Sequence, residues 1–316
     1  MSENVIDLAV TQFSANLEMK IQQQVSRLRG RVAEGTHRGK QASPVQYIGP
    51  VKLKSPPGRF APKNRIDANF ERRWVFPIDQ DGDQLIDTFD ELRLIGDPKS
   101  QYSTNAAAAC ARAWDDLLIT ASTADATLGT DVNAFSTETF LLAGGYSSGT
   151  LVIADTFGSS GGATSVGLTV TKIREAKRLF RHFGQDGNPD NEVLTWVGGS
   201  QQESDLLGQI EVTSLDFNDR PVLKEGSVQR FMGFDFVWME RLPTVASNVR
   251  GTIAFMKSGL YLGVWKDMTN RVSIRNDLTS EPYDLYTSLT AGATRLQAGK
   301  LLQIKCKDAS GASIVP

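Results

Sequence analysis

The sequence predicts an α+β fold, a few helices followed by many strands. Three observations carry that reading. The stretch from Pro44 to Pro77 reads as two extended arms, Val45–Lys54 and Ile66–Phe76, joined by a tip rich in proline. A long alanine-rich helical stripe runs from Asp97 to about Ala121, and the pattern from Phe231 to Lys305 is mostly strand.

In chain order, Ala9, Phe13, Leu17, Ile21 and Val25 recur every four residues, with Leu28 following at three. This is an amphipathic helix over residues 1–30 with nothing local to pack on, so it is expected to dock on a neighbour or a companion protein. Gly30, Gly35 and Gly39 interrupt the pattern, and residues 30–43 are expected to form a mobile basic arm. In the hairpin that follows, Pro50, Pro56, Pro57 and Pro62 remove backbone donors and keep the segment out of a sheet interior. A lone two-stranded hairpin is marginal in water, so this one needs another surface to lie on.

Charge suggests which surface. Thirteen basic residues against three acidic ones give Lys20–Arg73 a formal +10, whereas seven acidic residues against Arg93 give Asp79–Asp97 a formal −6. The whole chain of 316 residues stands at −2. Local asymmetry on this scale points to a charged partner, either nucleic acid or an acidic patch on another copy of the chain.

Leu85–Ile95 reads as extended. Asp97-Pro98 then opens the long helix, with Ala106, Cys110, Ala113 and Leu117 on one stripe and Trp114 and Leu118 widening it. Residues 122–168 are rich in Gly, Ser, Thr and Ala, with short strand-like pieces at Thr139–Leu142 and Thr150–Ile153. Thr169 caps a helix carrying Ile173, Ala176 and Phe180, and Gly184 terminates it. Val193–Val197 is a buried strand, and Ser200-Gln-Gln-Glu203 is a capping box. The remaining strands are Phe231–Trp238, Thr252–Met256, Gly259–Trp265, Arg271–Arg275, Glu281–Thr287 and Lys300–Lys305.

Motifs for chemistry are weak. The only histidines are His37 and His182, neither beside a nucleophile pattern, and no Cys–His cluster has zinc spacing, so no catalytic or cofactor-binding residues are assigned. The glycine run at 158–162 lacks the Gly-Lys-Ser/Thr ending of a phosphate loop. Asp79-Gln-Asp81-Gly-Asp83 has its glycine two positions early for an EF-hand and is read as a tight acidic turn, not a metal site. Cys110 and Cys306 are expected to be buried free thiols in a reducing compartment. No apolar run approaches the ~20 residues of a membrane span. The amino terminus lacks the pattern of a signal peptide.

Several stretches, in order, resemble one family. They are Leu92-Arg-Leu-Ile-Gly-Asp-Pro-Lys-Ser-Gln-Tyr102 leading into Ala106–Ala113 and Trp114-Asp-Asp116, Thr169-Val-Thr-Lys-Ile-Arg-Glu-Ala176, Val212-Thr-Ser-Leu-Asp-Phe-Asn218, Phe231-Met-Gly-Phe-Asp-Phe236 and Gly292-Ala-Thr-Arg295. Across roughly residues 45–306 the chain resembles the major capsid proteins of tailed double-stranded DNA bacteriophages. The resemblance implies an N-terminal arm (1–43), an extended loop (44–77), a peripheral domain (78–167) with spine helix 97–121 and the Gly/Ser-rich excursion 122–167, an axial α/β domain (168–251), and a return to the peripheral domain (252–316). It implies a non-enzymatic virion protein that assembles in the host cytoplasm as pentamers and hexamers into an icosahedral shell around double-stranded DNA. A separate scaffold protein, a portal and a decoration protein are the implied partners, and no membrane is involved.

The expected inter-subunit contacts are Lys52, Lys54, Arg59, Phe60, Lys63, Arg65, Phe70, Arg72, Arg73 and Trp74 on the loop, against Asp79, Asp81, Asp83, Asp87, Asp90 and Glu91 on a neighbour. Arg27, Arg29, Arg31 and Arg38 are candidates for contact with a scaffold protein or DNA. Some relatives cross-link a loop lysine, and Lys52, Lys54 and Lys63 occupy that loop, with salt-bridging as the simpler reading. The alternative function is a nucleic-acid-binding module using the basic 20–73 surface.

Overall fold

The computed structural model describes residues 22–48, 51–55, 58, 63, 65–68, 70–87, 99–131, 134–140, 151–159, 164–182, 192–209, 227–279 and 281–308. The chain divides into two compact units. One comprises Met1–Ser26, Ile78–Ala113 and Lys266–Thr290, the other Arg27–Pro77, Trp114–Trp265 and Ala291–Pro316.

The elements in order are β1 (Ala33–Thr36), β2 (Ala42–Ile48), β3 (Phe70–Val75), β4 (Ile78–Ile86), α1 (Lys99–Thr123), β5 (Ala126–Asp131), β6 (Ala134–Glu138), β7 (Val152–Ile153), α2 (Val170–Phe180), β8 (Leu194–Gly198), α3 (Ser200–Leu207), β9 (Arg230–Phe231), β10 (Phe234–Trp238), β11 (Thr244–Ala246), β12 (Val249–Met256), β13 (Leu260–Ile274), β14 (Tyr283–Arg295) and β15 (Leu301–Lys307). Three sheets result. Their orders are β1-β13-β14-β4, β2-β3-β5-β6, and β7-β15-β12-β8-β10-β9 with β11 added on β12.

The largest sheet is the core of the second unit. Every residue of β8 and β12 is buried, as in strands covered on both faces, and the buried set includes the polar Thr195, Arg250 and Thr252. β8 pairs parallel with β10 and antiparallel with β12, and β12 pairs antiparallel with β15. Trp196, Phe234 and Phe180 are fully buried there, with the Trp196 and Phe234 rings edge-on at 5.4 Å.

Helix α2 starts as its sequence dictates, with the Thr169 hydroxyl accepting the Lys172 backbone N–H at 3.3 Å. Lys172 itself is fully buried. Its ammonium donates to the carbonyls of Asp155 at 3.1 Å and of Val166 and Lys305 at 2.8 Å each. Burial pushes its pKa down, but three acceptors match its three donors. The lysine therefore ties α2 to the 155–166 segment and to β15.

Several sequence expectations need correction. Residues 22–28, the described part of the expected N-terminal helix, are not helical, and Val25 is exposed while Leu28 is buried. The supposed mobile arm at 30–43 is ordered. Its β1 runs parallel to β13 in register Ala33↔Tyr261 to Thr36↔Val264. Gly35 fits because a Cβ there has no room beside the Tyr261 hydroxyl, and His37 Nε2 lies 2.7 Å from that same hydroxyl. The Asp79–Asp83 stretch is strand β4, not a turn. Ladder pairing overrides the low strand propensity of Asp and Gly.

The pieces at 259–265 and 271–275 are one strand, β13, and 281–287 extends to Arg295 as β14. The α3 cap is Gly199, one residue earlier than expected. Its N–H donates to Gln202 Oε1 at 2.9 Å, and a Cβ there would lie 2.7 Å from Arg250 Nη1. Strand β6 ends at Glu138, just before the piece expected at 139–142, of which residues 141 and 142 lie outside the described residues. Gly184 and the glycine run from 160 to 162 lie outside the described residues. Cys110 and Cys306 are free and buried, and burial pushes the Cys306 thiol up to about 11.

Replacing Lys172 by Met keeps the packing volume but leaves three buried carbonyls without their donor. Lys172→Met is expected to cost about 2–3 kcal/mol in the unfolding of the isolated subunit, read by denaturant titration.

Candidate assembly interface

The hairpin has two halves with opposite characters. Its root is the antiparallel pair β2–β3, in register from Ala42↔Val75 to Ile48↔Phe70, and β3 continues the ladder into β5 at Arg73↔Leu128 and Trp74↔Thr127. Burial deepens along β3, so that Arg73, Trp74 and Val75 are all buried. Arg73 is buried and forms an ion pair with Glu138 at the end of β6.

Arg295, fully buried, approaches the same carboxylate at 4.0 Å. It also donates to the carbonyls of Ser122 at 3.4 Å and Ala124 at 2.9 Å, where α1 ends, and of Glu138 at 3.3 Å. The last carbonyls of a helix lack intrahelical donors and carry the negative end of its dipole, so a cation suits them. Burial pushes the Arg295 pKa down to about 10, and its guanidinium lies 5.1 Å from the Phe140 ring centroid. Trp74 is buried, with Nε1 donating to Gly129 O at 2.9 Å and its ring edge-on to Phe135 at 5.6 Å.

Most of the distal half that is described is exposed, with Ile66 and Ala68 half-buried. Lys52, Lys54 and Lys63 face solvent. Arg65 pairs only locally, with Asp67 at 3.1 Å, and both side chains are exposed. Leu53 is 93% exposed and Ile48 65%, and Val51 and Phe70 are about half exposed. Arg72 reaches across the ladder to Gln46 Oε1, donating from Nε at 3.3 Å and Nη2 at 3.2 Å. Arg59 and Phe60 lie outside the described residues.

The loop residues named from sequence therefore separate. Arg73 and Trp74 are anchors within their own unit, because they lie where β3 pairs with β5 and burial deepens towards the end of the strand. Lys52, Lys54, Lys63, Arg65, Phe70 and Arg72 remain on the surface.

On β4, Asp79 accepts from the Thr290 hydroxyl at 2.7 Å and Asp81 from the Tyr286 hydroxyl at 3.5 Å. Alternate strand positions share a face but stand ~7 Å apart, so the three carboxylates do not converge on one point. Among the described residues no group of three or more His, Cys, Asp or Glu is placed to hold a metal ion.

Asp83 is hydrogen-bonded to the buried Asp284. That bond, burial and the neighbouring charge together hold the Asp83 carboxyl above the usual range. Arg275 donates to Asp284 Oδ2 at 3.5 Å but makes its closer bidentate contact with Asp277, at 2.8 and 2.9 Å. Asp87 is partly buried, and Asp90 and Glu91 lie outside the described residues.

The arginines proposed for scaffold or DNA mostly have partners at home. Arg27 donates through its guanidinium to the Trp238 carbonyl and through its backbone N–H to Asp115 at 3.0 Å. Arg29 stacks 4.2 Å over Trp114 and bonds Glu34 at 3.4 Å. Arg31 lies 4.0 Å from Asp235, and Arg38 is exposed. Sequence reading missed Glu138, the partner of Arg73, and Asp115, whose carboxylate accepts the backbone N–H groups of Arg27 and Leu28. The pair Trp114-Asp115 was visible in the helix pattern, but a buried carboxylate on an apolar stripe was the only signal of its role.

These features match one family. A model of the phage capsid protein family matches residues 5–308. Solved structures of similar fold include the capsid protein of cyanophage P-SCSP1u, at 16% identity and a TM-score of 0.68 over 98% of this chain and 97% of that one. The mature capsid of bacteriophage PhiM1 follows at 12% and 0.66, covering 94% and 91%, and the capsid of cyanophage Pam1 at 12% and 0.66, covering 95% and 96%. A search of curated proteins finds no match. Fold and family agree: the chain belongs to the phage capsid protein family, has the fold of the phage major capsid proteins, and is a structural protein of a virion shell.

Proposed function

We propose that this chain is the major shell subunit of a tailed phage. It assembles in the host cytoplasm as pentamers and hexamers around double-stranded DNA, with its hairpin laid over a neighbouring subunit. The observation that carries this reading is the split hairpin, whose root is locked by buried Arg73 and Trp74 while its distal half presents cations and unburied Ile48, Val51, Leu53 and Phe70. A ribbon with that surface gains by burying it elsewhere. The exposed carboxylates of a neighbour's β4, Asp79 and Asp81 first, supply the opposite charge.

In this reading 1–43 is the arm, 44–77 the extended loop, 78–167 with helix 97–121 the peripheral domain, 168–251 the axial domain and 252–316 the return. A separate scaffold protein, a portal and a decoration protein complete the assembly, and DNA contacts are non-specific. The alternative of a dedicated nucleic-acid module is weakened by Arg27, Arg29 and Arg31, whose charges are engaged within their own unit.

Two substitutions separate root from tip. Lys63→Glu with Arg65→Glu is expected to leave the subunit's melting unchanged but to lower the yield of intact shells, seen by negative-stain microscopy, more strongly as salt is raised. Arg73→Gln is expected to cost about 1.5–3 kcal/mol of subunit stability by removing the charged bond to Glu138, which keeps Arg295 as its neighbouring cation. Unchanged shell yield in the first variant removes the proposed loop contact.

The Asp83 carboxyl predicts a pH effect of definite sign. Its folded pKa is raised, so the folded state binds the proton more tightly than the unfolded chain does. Its contribution to stability therefore grows as pH falls through the raised folded value, and it is unfavourable at neutral pH. Asp83→Asn is expected to raise the melting temperature at neutral pH and to flatten its rise on mild acidification, as scanning calorimetry would show.

A further inference from the structure

The first unit contains a groove of about 490 Å³ whose lining comes from β4, α1 and β14. One wall is the small-residue stripe of α1, Ala106, Ala109, Cys110 and Ala113, and Leu285 and Leu289 of β14 face it. Ala109 is exposed although it belongs to an apolar stripe. The β4 wall adds an oddity. The side-chain oxygens of Gln80 and Gln84 are both buried and have no hydrogen-bond partner. A buried amide oxygen without a donor is costly, so whatever fills the groove must bring hydrogen-bond donors as well as apolar surface. Small residues along the helix wall let a second backbone approach closely.

The chain's own course indicates the occupant. Gln22 lies on this same helix beside the groove. Its Nε2 donates to Asn105 Oδ1 at 2.9 Å, and Arg112 donates to Gln22 Oε1 at 2.7 Å and to the Gln23 carbonyl at 3.1 Å. Asn105, Ala109 and Arg112 form one row of the helix surface, so the polar contacts that hold Gln22 flank a groove residue. The 21 residues before Gln22 carry the stripe Phe13, Leu17 and Ile21, with Ser14 and Lys20 on its flanks. As a helix, Phe13–Ile21 spans ~12 Å, close to the ~10.5 Å between Ala106 and Ala113.

We infer that the groove is the seat of the chain's own amino-terminal segment. Phe13 and Leu17 rest against the alanine stripe of α1, and flanking donors satisfy Gln80 and Gln84. This is the helix-in-groove mode of recognition, made within one chain. It concerns a single subunit and does not depend on the hairpin contact.

Cys110 in the groove wall provides the test. In the full-length chain, Leu17→Cys is expected to form a disulfide with Cys110 within one molecule in most chains after copper–phenanthroline oxidation at high dilution, mapped by peptide mass. Ala15→Cys, on the opposite face, is expected not to. A second measurement needs no cross-link. Maleimide labelling of Cys110 is expected to be at least about tenfold faster in the Phe13→Asp, Leu17→Asp double variant than in the parent chain, because the cover is lost. A disulfide between chains in place of one within a chain, which would make a second copy the occupant, overturns the inference. So do equal linking of Ala15→Cys and an unchanged labelling rate.

Discussion

One largely enclosed carboxylate, Glu138, holds the root of the hairpin. Glu138 receives Arg73 from the hairpin root and stands 4.0 Å from Arg295, while Arg295 also closes the carboxyl end of α1. Two guanidiniums around one carboxylate make an unusual core. It persists because the excess charge is spread over three carbonyls and an aromatic face. The desolvation cost is large, and such a cluster is not a source of net stability compared with packed hydrocarbon. What it supplies is register. β3, β6, the end of α1 and the end of β14 are satisfied together only when the hairpin leaves the unit along one path.

That constraint explains how a chain with so basic a hairpin avoids binding at random. The cations nearest the body have specific partners: Arg73 pairs with Glu138, Arg29 with Glu34, and Arg72 donates to the Gln46 amide oxygen. Exposed Lys52, Lys54, Lys63 and Arg65 lie beyond Ile48 and Phe70, where the ladder ends and the prolines begin. Apolar side chains are left uncovered in the same place. A surface with both features needs a partner that supplies carboxylates and area together, a stricter demand than a polyanion makes.

Most of the element types were legible in the sequence, because periodicity reports burial directly. Helices α1 and α2 and strands β8, β10, β12 and β15 follow from their apolar spacing, and Thr169 marks its helix start by the hydroxyl that caps it. The failures share a cause. β1, β4 and the outer reaches of β13 and β14 have little apolar alternation and owe their form to ladder partners distant in sequence, which no local window contains. Gly35 looked like a breaker and is a packing site beside Tyr261. At the candidate interface the composition was legible but the orientation was not. Arg72 and Arg73 are chemically identical neighbours, and only the start of the β3–β5 pairing, at Arg73, separates the buried one from the half-buried one.

The separation of anchor from contact also bears on how a shell of this kind can form correctly. Exposed ion pairs contribute only ~0.2–1 kcal/mol each, so a misplaced subunit bound through a few of them dissociates readily. Many such contacts made together in a closed lattice reinforce one another, since each subunit already held presents the next contact at high effective concentration. A hairpin whose strong interactions are all spent inside its own unit and whose outer contacts are individually weak meets both requirements. Moving the strong pair outward, so that Arg73 met its carboxylate on a neighbour, would trap errors and leave the root of the hairpin unfixed. The burial of Arg73 and the exposure of Arg65 thus separate a fixed root from a presented surface within one hairpin.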